Sequence, residues 1–459
     1  MDHRHRKNGP AGKPNRNQWI GFLVAAIVLA LLLSLALWMA FGKTELSQQS
    51  PLEQTEDAER LDRTGMSNGS TSTPIQKPDG STSTRMEQQE HEDTDGTGQT
   101  TQKQSWDTLT DELAQSSVYS RYAALNDTQK RIYDALLEVL KQGEHEATIS
   151  EVQKQTWKED TDLAVRAVYY DHPEFFWVRE AWSGKLVNGT ETLSVLCYDY
   201  WNFASQRDKH REKLWQAARA VADLAREKKT TYEQVKFVHD HLVQTVTYDK
   251  SAANEPNGAM SHSLNWAYAH SAYGCLVNHR SVCDGYSKGF QLVMQLLGIS
   301  CDYTEGVAKG LHAWNFLRLD GEYYFMDVTW DDYDLADCPE LVSHAYFCAT
   351  SEDMAVDHTV SRETGNQFVP VCTATDYDFY RREGLYLERY DFEAVKSVFD
   401  ANPNTQSIRF RLGSAEEADR AEQELNTQGK IWEVLKDSGR SPAMLFHEPG
   451  RRELCYVLK

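Results

Sequence analysis

The chain has 459 residues, 40% of them hydrophobic and 25% charged, a balance that excludes a wholly disordered protein and leaves room for one large core or two or three ordinary ones. Acidic residues outnumber basic ones by 69 to 48, and the formal charge of −21 argues against a sequence-independent grip on nucleic acid, which needs Lys and Arg to displace counterions. Eight cysteines, at positions 197, 275, 283, 301, 338, 348, 372 and 455, follow no repeating spacing, which argues against a fully cross-linked secreted scaffold.

Residues 1–18 carry five Arg/Lys against one Asp, and Trp19 to Gly42 then runs 24 residues without a charge. About 20 apolar residues span a bilayer, so the segment predicts a transmembrane helix; the positive-inside rule puts the basic tail in the cytoplasm and Trp19 and Trp38 at the two interfaces. A cleaved signal peptide, with Ser34 and Ala36 as a small-x-small site, is the alternative, although the apolar run exceeds a usual signal core. Residues 43–104 are rich in Ser, Thr, Gln, Gly and acid, with almost nothing aliphatic to offset the entropy of ordering, and read as a disordered stalk. The expected location is the cell membrane, single-pass, with everything after Gly42 outside the cytoplasm.

Order resumes at residue 105, and 105–230 reads as a helical and β lead-in. "LNDTQKRIYDALLEVLKQG" offers Asn126 as N-cap with Gln129 three residues on, then Ile132, Leu136, Leu137 and Leu140 on one face before Gly143. A second helix is expected around 151–171, strands at "EFFWV" and "TETLSVLCYDYW", turns at Gly184 and the Asn-Gly of 188–189, and a long helix over 206–228. Segment 231–358 opens with Val235, Val238, His239, Leu242 and Val246 at helical spacing, which places His239 in a packed helix and His241 on its solvent face. Segment 359–459 alternates strand, helix and strand hairpin, a small α+β module.

The chemistry concentrates between 281 and 332. Cys283 is followed by Tyr286, Phe290, Val293, Met294 and Leu297 on one helical face, and Gly298 stands where a C′ glycine closes the helix. Cys283 then sits at the helix N-terminus, where free N–H groups and the dipole favour a thiolate. "HAWNFLRLDGEYYFMDVTWDD" reads as a hairpin whose Asp320-Gly321 turn pairs Leu319 with Glu322 and, stepping outward, Trp314 with Asp327 and His312 with Thr329. His312 and Asp327 become diagonal neighbours on one face, roughly 7–8 Å apart at the backbone and within side-chain reach. In that arrangement Cys283 attacks a carbonyl, His312 shuttles the proton, Asp327 fixes the imidazole tautomer, and the Cys283 backbone N–H contributes to an oxyanion hole. Each residue alone is structural far more often than catalytic; the ordered Cys, His, Asp set is what points to chemistry.

These motifs, with "VHDHLVQTVTYD" and "AYGCLVNHRSVCDGYSKGFQLVMQLLGI", resemble the bacterial transglutaminase-like superfamily over residues 232–335. The resemblance implies an α+β fold of papain-like character, a nucleophile-bearing helix packed on an antiparallel sheet, with Cys283 as nucleophile, His312 as base and Asp327 as orienting acid. It implies acyl transfer on peptide or protein amides without naming the acceptor, so a cysteine peptidase or amidohydrolase with the same triad stands as the alternative to a transglutaminase. Trp266 and Tyr273 are candidates for a side-chain oxyanion donor. Neither cofactor nor metal is expected, since "DVTWDDYDLAD" lacks the glycine and terminal glutamate of a calcium loop. Two other readings stand beside this one. His262, His270, Cys275, His279 and Cys283 crowd together as a zinc alternative without metal-site spacing, and a cell-surface binding protein with a vestigial triad would suit the 22 Tyr and 12 Trp. The sequence leaves the oligomeric state open.

Overall fold

The computed structural model describes residues 59–63, 119–198, 204–255, 263–332, 342–361, 369–447 and 452–459. The basic tail, the apolar segment from Trp19 to Gly42 and all of the segment read as a stalk except residues 59–63 lie outside the described residues. Among the described residues no helix is long and apolar enough to cross a membrane.

The lead-in contains β1 (Glu59–Arg63), α1 (Ser120–Ala124), α2 (Asp127–Lys141), β2 (Glu146–Ile149), α3 (Trp157–Asp171), β3 (Val178–Val187), β4 (Thr190–Cys197) and α4 (Ala204–Arg226). Asn126 and Gln129 form the reciprocal capping box that starts α2. The four strands make an antiparallel sheet in the order β1-β3-β4-β2, and the five residues of β1 lie within the segment read as stalk. Three local expectations need correction. Helix α3 starts at Trp157 rather than 151, because 146–149 pair with β4 instead. Gly184 is no turn but sits inside β3 opposite Leu193, and "EFFW" precedes the strand that begins at Val178. The Asn-Gly turn holds, with Asn188 at φ 50° and Gly189 at φ 78°.

The central segment follows as α5 (Thr231–Thr245), β5 (Thr247–Tyr248), α6 (Lys250–Ala253), α7 (Leu264–Ala269), α8 (Ala272–Leu276), β6 (Arg280–Ser281), α9 (Cys283–Leu296), β7 (Cys301–Val307), β8 (Leu311–Leu319), β9 (Glu322–Met326), α10 (Val328–Asp331), α11 (Ser351–Met354) and β10 (Thr359–Val360). Strands β10-β7-β8-β9 form an antiparallel sheet, and α9 lies against β7 and β8. One hydrophobic core runs from Ile132 and Leu136 of α2 through Trp157 and Val168 of α3, Leu214 of α4 and Val238 of α5 to Tyr286, Phe290, Val293 and Met294 of α9. The lead-in is therefore packed into the same core as the nucleophile helix.

The C-terminal part holds α12 (Phe379–Arg382), β11 (Tyr386–Leu387), α13 (Phe392–Ala401), β12 (Ser407–Leu412), α14 (Ala415–Glu422), α15 (Ile431–Val434), β13 (Pro442–Phe446) and β14 (Glu453–Leu458). Its sheet runs β11-β12-β14-β13, and a separate core gathers Val395, Phe399, Ile408, Phe410, Leu425 and Tyr456. Arg411 of β12 ties this module to the central segment through Asp378 and the Ala345 carbonyl.

Candidate active site

Helix α9 begins at Cys283 and is closed by Gly298 at φ 76°, as its apolar spacing predicts. Gly285, one turn into the helix, is required by packing: a Cβ there would press into the carbonyl oxygens of Ala269 and Ser271 and the Ser281 hydroxyl. The missing side chain lets the nucleophile end of α9 sit directly on the backbone that follows α7. Asn315 of β8 fixes the other side, donating from Nδ2 to the Ser287 and Asp302 carbonyls at 3.1 Å each.

The hairpin keeps its expected register from Leu319↔Glu322 to Asn315↔Met326. Asp320 and Gly321 both adopt positive φ, 50° and 93°, as a two-residue type I′ turn requires. The ladder stops at Met326. His312 does not face Thr329 across strands; it pairs with Gly306 of β7, while Asp327 leaves the sheet to cap α10, its Oδ1 accepting from the Trp330 backbone N–H at 3.0 Å. The side chains still meet, with His312 Nε2 at 2.6 Å from Asp327 Oδ2. That bond places the ring proton on Nε2 and leaves Nδ1 as the basic nitrogen.

Cys283 packs against Ala313, the residue after His312, and the Ala313 and Asp284 backbone amides draw the thiol's pKa down. The sulfur keeps some solvent exposure but is hemmed in by protein. The expected resting thiolate is corrected here. Burial first, and the Asp284 carboxylate second, push the thiol well above its ordinary value, and the backbone amides do not offset them. Asp284 Oδ1 lies 3.8 Å from the sulfur in the very turn whose positive end was to favour the anion.

Two histidine–carboxylate contacts flank this centre, and neither was read from sequence. On one side His270 Nδ1 bonds Asp284 Oδ2 at 2.8 Å, while the Tyr303 hydroxyl lies 3.1 Å from Asp284 Oδ1 and the Trp266 ring stacks on His270 with centroids 3.8 Å apart. Burial alone would raise Asp284, but His270 and Lys288 hold it well below the usual carboxylate range. On the other side His358 Nε2 sits 3.0 Å from Asp327 Oδ2, the oxygen His312 uses. Asp327, too, would be raised by its burial, and the two histidines pull it far down. Tyr273, an oxyanion candidate, is buried among Phe176, Tyr268 and His210 in the core; Trp266 is the candidate on the thiol's side.

One turn beyond Asp327, Asp331 is fully buried and accepts from His239 Nε2 at 3.2 Å and from the Tyr346 backbone N–H. His239 thus braces the helix that Asp327 caps. Among the described residues two sets, His239–Asp240–His344 and His312–Asp327–His358, bring three possible metal donors within 4.8 Å of one another. Hydrogen bonds within each set account for that approach, and neither set includes Cys275, His279 or Cys283. His262 lies outside the described residues. The seven described cysteines are free thiols.

Residues 218–328 match the family model described as the Transglutaminase-like superfamily. The segment that carries Cys283, His312 and Asp327 is therefore similar to a transglutaminase-like domain. Human kyphoscoliosis peptidase is 24% identical over 214 residues, covering 42% of this chain and 30% of that protein, and the mouse protein of the same name is 23% identical over the same length. The chain spans less than a third of the length of these curated relatives. A crystal structure of a TGase aligns over 33% of this chain and 44% of that one at 17% identity, with a TM-score of 0.26, too low to carry an argument.

Proposed function

We propose that the protein is a transglutaminase-like enzyme that uses Cys283, His312 and Asp327 for acyl transfer on peptide or protein amides through a thioester. The observation that carries this reading is the 2.6 Å His312–Asp327 bond on the strand against whose Ala313 Cys283 packs. The resting thiol is neutral, so His312 Nδ1 takes the S–H proton as sulfur attacks the amide carbon. The C–N bond breaks as His312 returns the proton to the leaving nitrogen. An amine or water then attacks the thioester, again deprotonated by His312, and the thiol is regenerated. Asp327 holds the imidazole tautomer and balances the imidazolium that forms in each step. Exposed Val307 and Leu311, paired at the rim of the sheet next to His312, offer an apolar border to a chain-like substrate.

Hydrolysis by the same triad, as a cysteine peptidase or amidohydrolase, is the second reading, favoured by the names of the curated relatives. The full-length protein and Cys283→Ala, given a glutamine-containing protein and a fluorescent primary amine with ammonia release and peptide cleavage followed alongside, separate the two. Cysteine-dependent amine incorporation supports the transferase; cysteine-dependent cleavage without incorporation supports the hydrolase; indifference to Cys283 sinks both and leaves a surface binding protein. We further place the domain outside the cytoplasm, held to the membrane by the apolar segment from Trp19 to Gly42. Labelling of the domain in intact cells by a membrane-impermeant reagent tests that placement, and labelling only after lysis contradicts it.

A further inference from the structure

We propose that His358 is a positioning residue of this site, a fixed cation that shares the Asp327 carboxylate with His312 and thereby sets the proton affinity of the Cys283–His312 pair. This inference rests on the triad reading above and adds to it a member that neither the family motif nor the sequence order contains.

The geometry is specific. His358 follows α11 and is 5% exposed, with its backbone N–H donated to the Met354 carbonyl at 2.7 Å. Its two ring nitrogens face two different carboxylates: Nε2 lies 3.0 Å from Asp327 Oδ2 and Nδ1 lies 2.5 Å from Asp357 Oδ1. Asp357 is itself held by the Tyr346 hydroxyl at 2.9 Å. Trp314, Trp330 and Tyr346 enclose the ring, with centroids 4.7 to 5.1 Å away. A carboxylate only accepts, so a ring bonded to one at each nitrogen must carry both protons. Burial works against that charge, yet Asp327 and Asp357 outweigh it and hold His358 protonated to about 9.

A charge there has a consequence for the reaction. Asp327 Oδ2 accepts from both rings, so its negative charge is already partly balanced before His312 is protonated. The Nε2–H of His312 is pinned by an oxygen whose position two partners define. The groups around the thiol are Asp284 with its partners His270 and Lys288, Tyr303, Tyr170 and Tyr169 of the cluster on which Cys283 packs, Tyr248 and Asp327. Those around His358 are Asp327, Asp357, Tyr346 and the His312 ring at 5.5 Å, with Lys309 over the adjoining Trp330. Removing the cation leaves Asp327 at full charge against both the thiol and the imidazole. The thiol then holds its proton to higher pH.

The test follows the pH dependence of Cys283 alkylation by iodoacetamide, read by mass spectrometry on the full-length chain, in wild type, His358→Gln and Asp357→Asn. Asp357→Asn touches no triad member and discharges His358 indirectly, so it serves if His358→Gln fails to fold. The expected result is an upward move of the alkylation midpoint by about one pH unit in each variant that folds, as for loss of a charge that balances Asp327 and lies 5.5 Å from the His312 ring. An unmoved or lowered midpoint in folded protein overturns the assignment while leaving the triad intact. If wild-type Cys283 resists alkylation at every pH, the triad reading falls and this inference with it.

Discussion

Arg411→Ala is the substitution whose cost the structure fixes most directly. The guanidinium is 2% exposed and bonds Asp378 at 2.9 Å, Glu453 at 2.6 Å and the Ala345 carbonyl at 2.7 Å, with Asp353 at 3.8 Å and the Tyr380 ring 4.3 Å away. Truncation leaves buried carboxylates without their counter-charge, a loss of about 3–5 kcal/mol. Arg452 still pairs with Asp353, so Asp378 and Glu453 bear most of it. Urea unfolding of the full-length chain, followed by tryptophan fluorescence, should show a loss in that range at pH 7. The same measurement near pH 4 sharpens the test. Asp353 is depressed in the folded protein, burial notwithstanding, because Arg411 and Arg452 attract it. Its contribution is lost only as pH falls below its ordinary 3.8, whereas burial already raises Asp378 with Arg411 in place, so near pH 4 protonation relieves the stranded carboxylate of the variant. The gap between the two proteins should narrow. A loss below about 1 kcal/mol at pH 7 refutes the charge argument, since even a lone neutral hydrogen bond contributes that much. A gap independent of pH assigns the loss to packing instead.

Three further outcomes are expected. Asp284→Asn removes the carboxylate 3.8 Å from the thiol, so the midpoint of Cys283 alkylation should move to lower pH, opposite to the His358 variants; an upward move contradicts the assigned role of Asp284. Gly285→Ala drives a methyl into the backbone beneath the nucleophile, which should cost about 1–3 kcal/mol of stability and, by displacing the sulfur, about a hundredfold in kcat/KM. Activity unchanged from wild type would show that the close approach positions nothing. His239, raised to about 9 by Asp240 and Asp331 against the pull of burial, contributes stability that is full below its ordinary value of 6.5 and fades as pH rises to about 9. Thermal melts of His239→Gln should show a shallower decline across that window, and an identical slope counts against a charged His239.

What the sequence could convey was local. A two-residue Asp-Gly turn determines the register of the hairpin, so the approach of His312 to Asp327 was readable even though the last two pairs dissolve into α10. The capping box at Asn126 and the closing glycine at 298 are equally local. His358 escaped because it reaches Asp327 from 31 residues away, by way of Ala349, which pairs with Phe325 at the edge of the sheet. No periodicity encodes that return. Asp284 carries no signal of its own in the sequence: a carboxylate in the first turn usually complements the helix dipole, and only the packed site shows it opposing the thiolate. Strand β2 was missed because it exists by pairing with β4 across some 45 residues.

The most direct test of the central claim asks which of the eight cysteines is the nucleophile. The full-length protein is treated with a peptide-based electrophile that traps thioester-forming cysteines, and the labelled site is mapped by mass spectrometry in wild type, His312→Ala and Asp327→Asn. The account predicts labelling confined to Cys283, strongly reduced in both variants. Label spread over several cysteines, or on Cys283 at the same rate without His312, would contradict it.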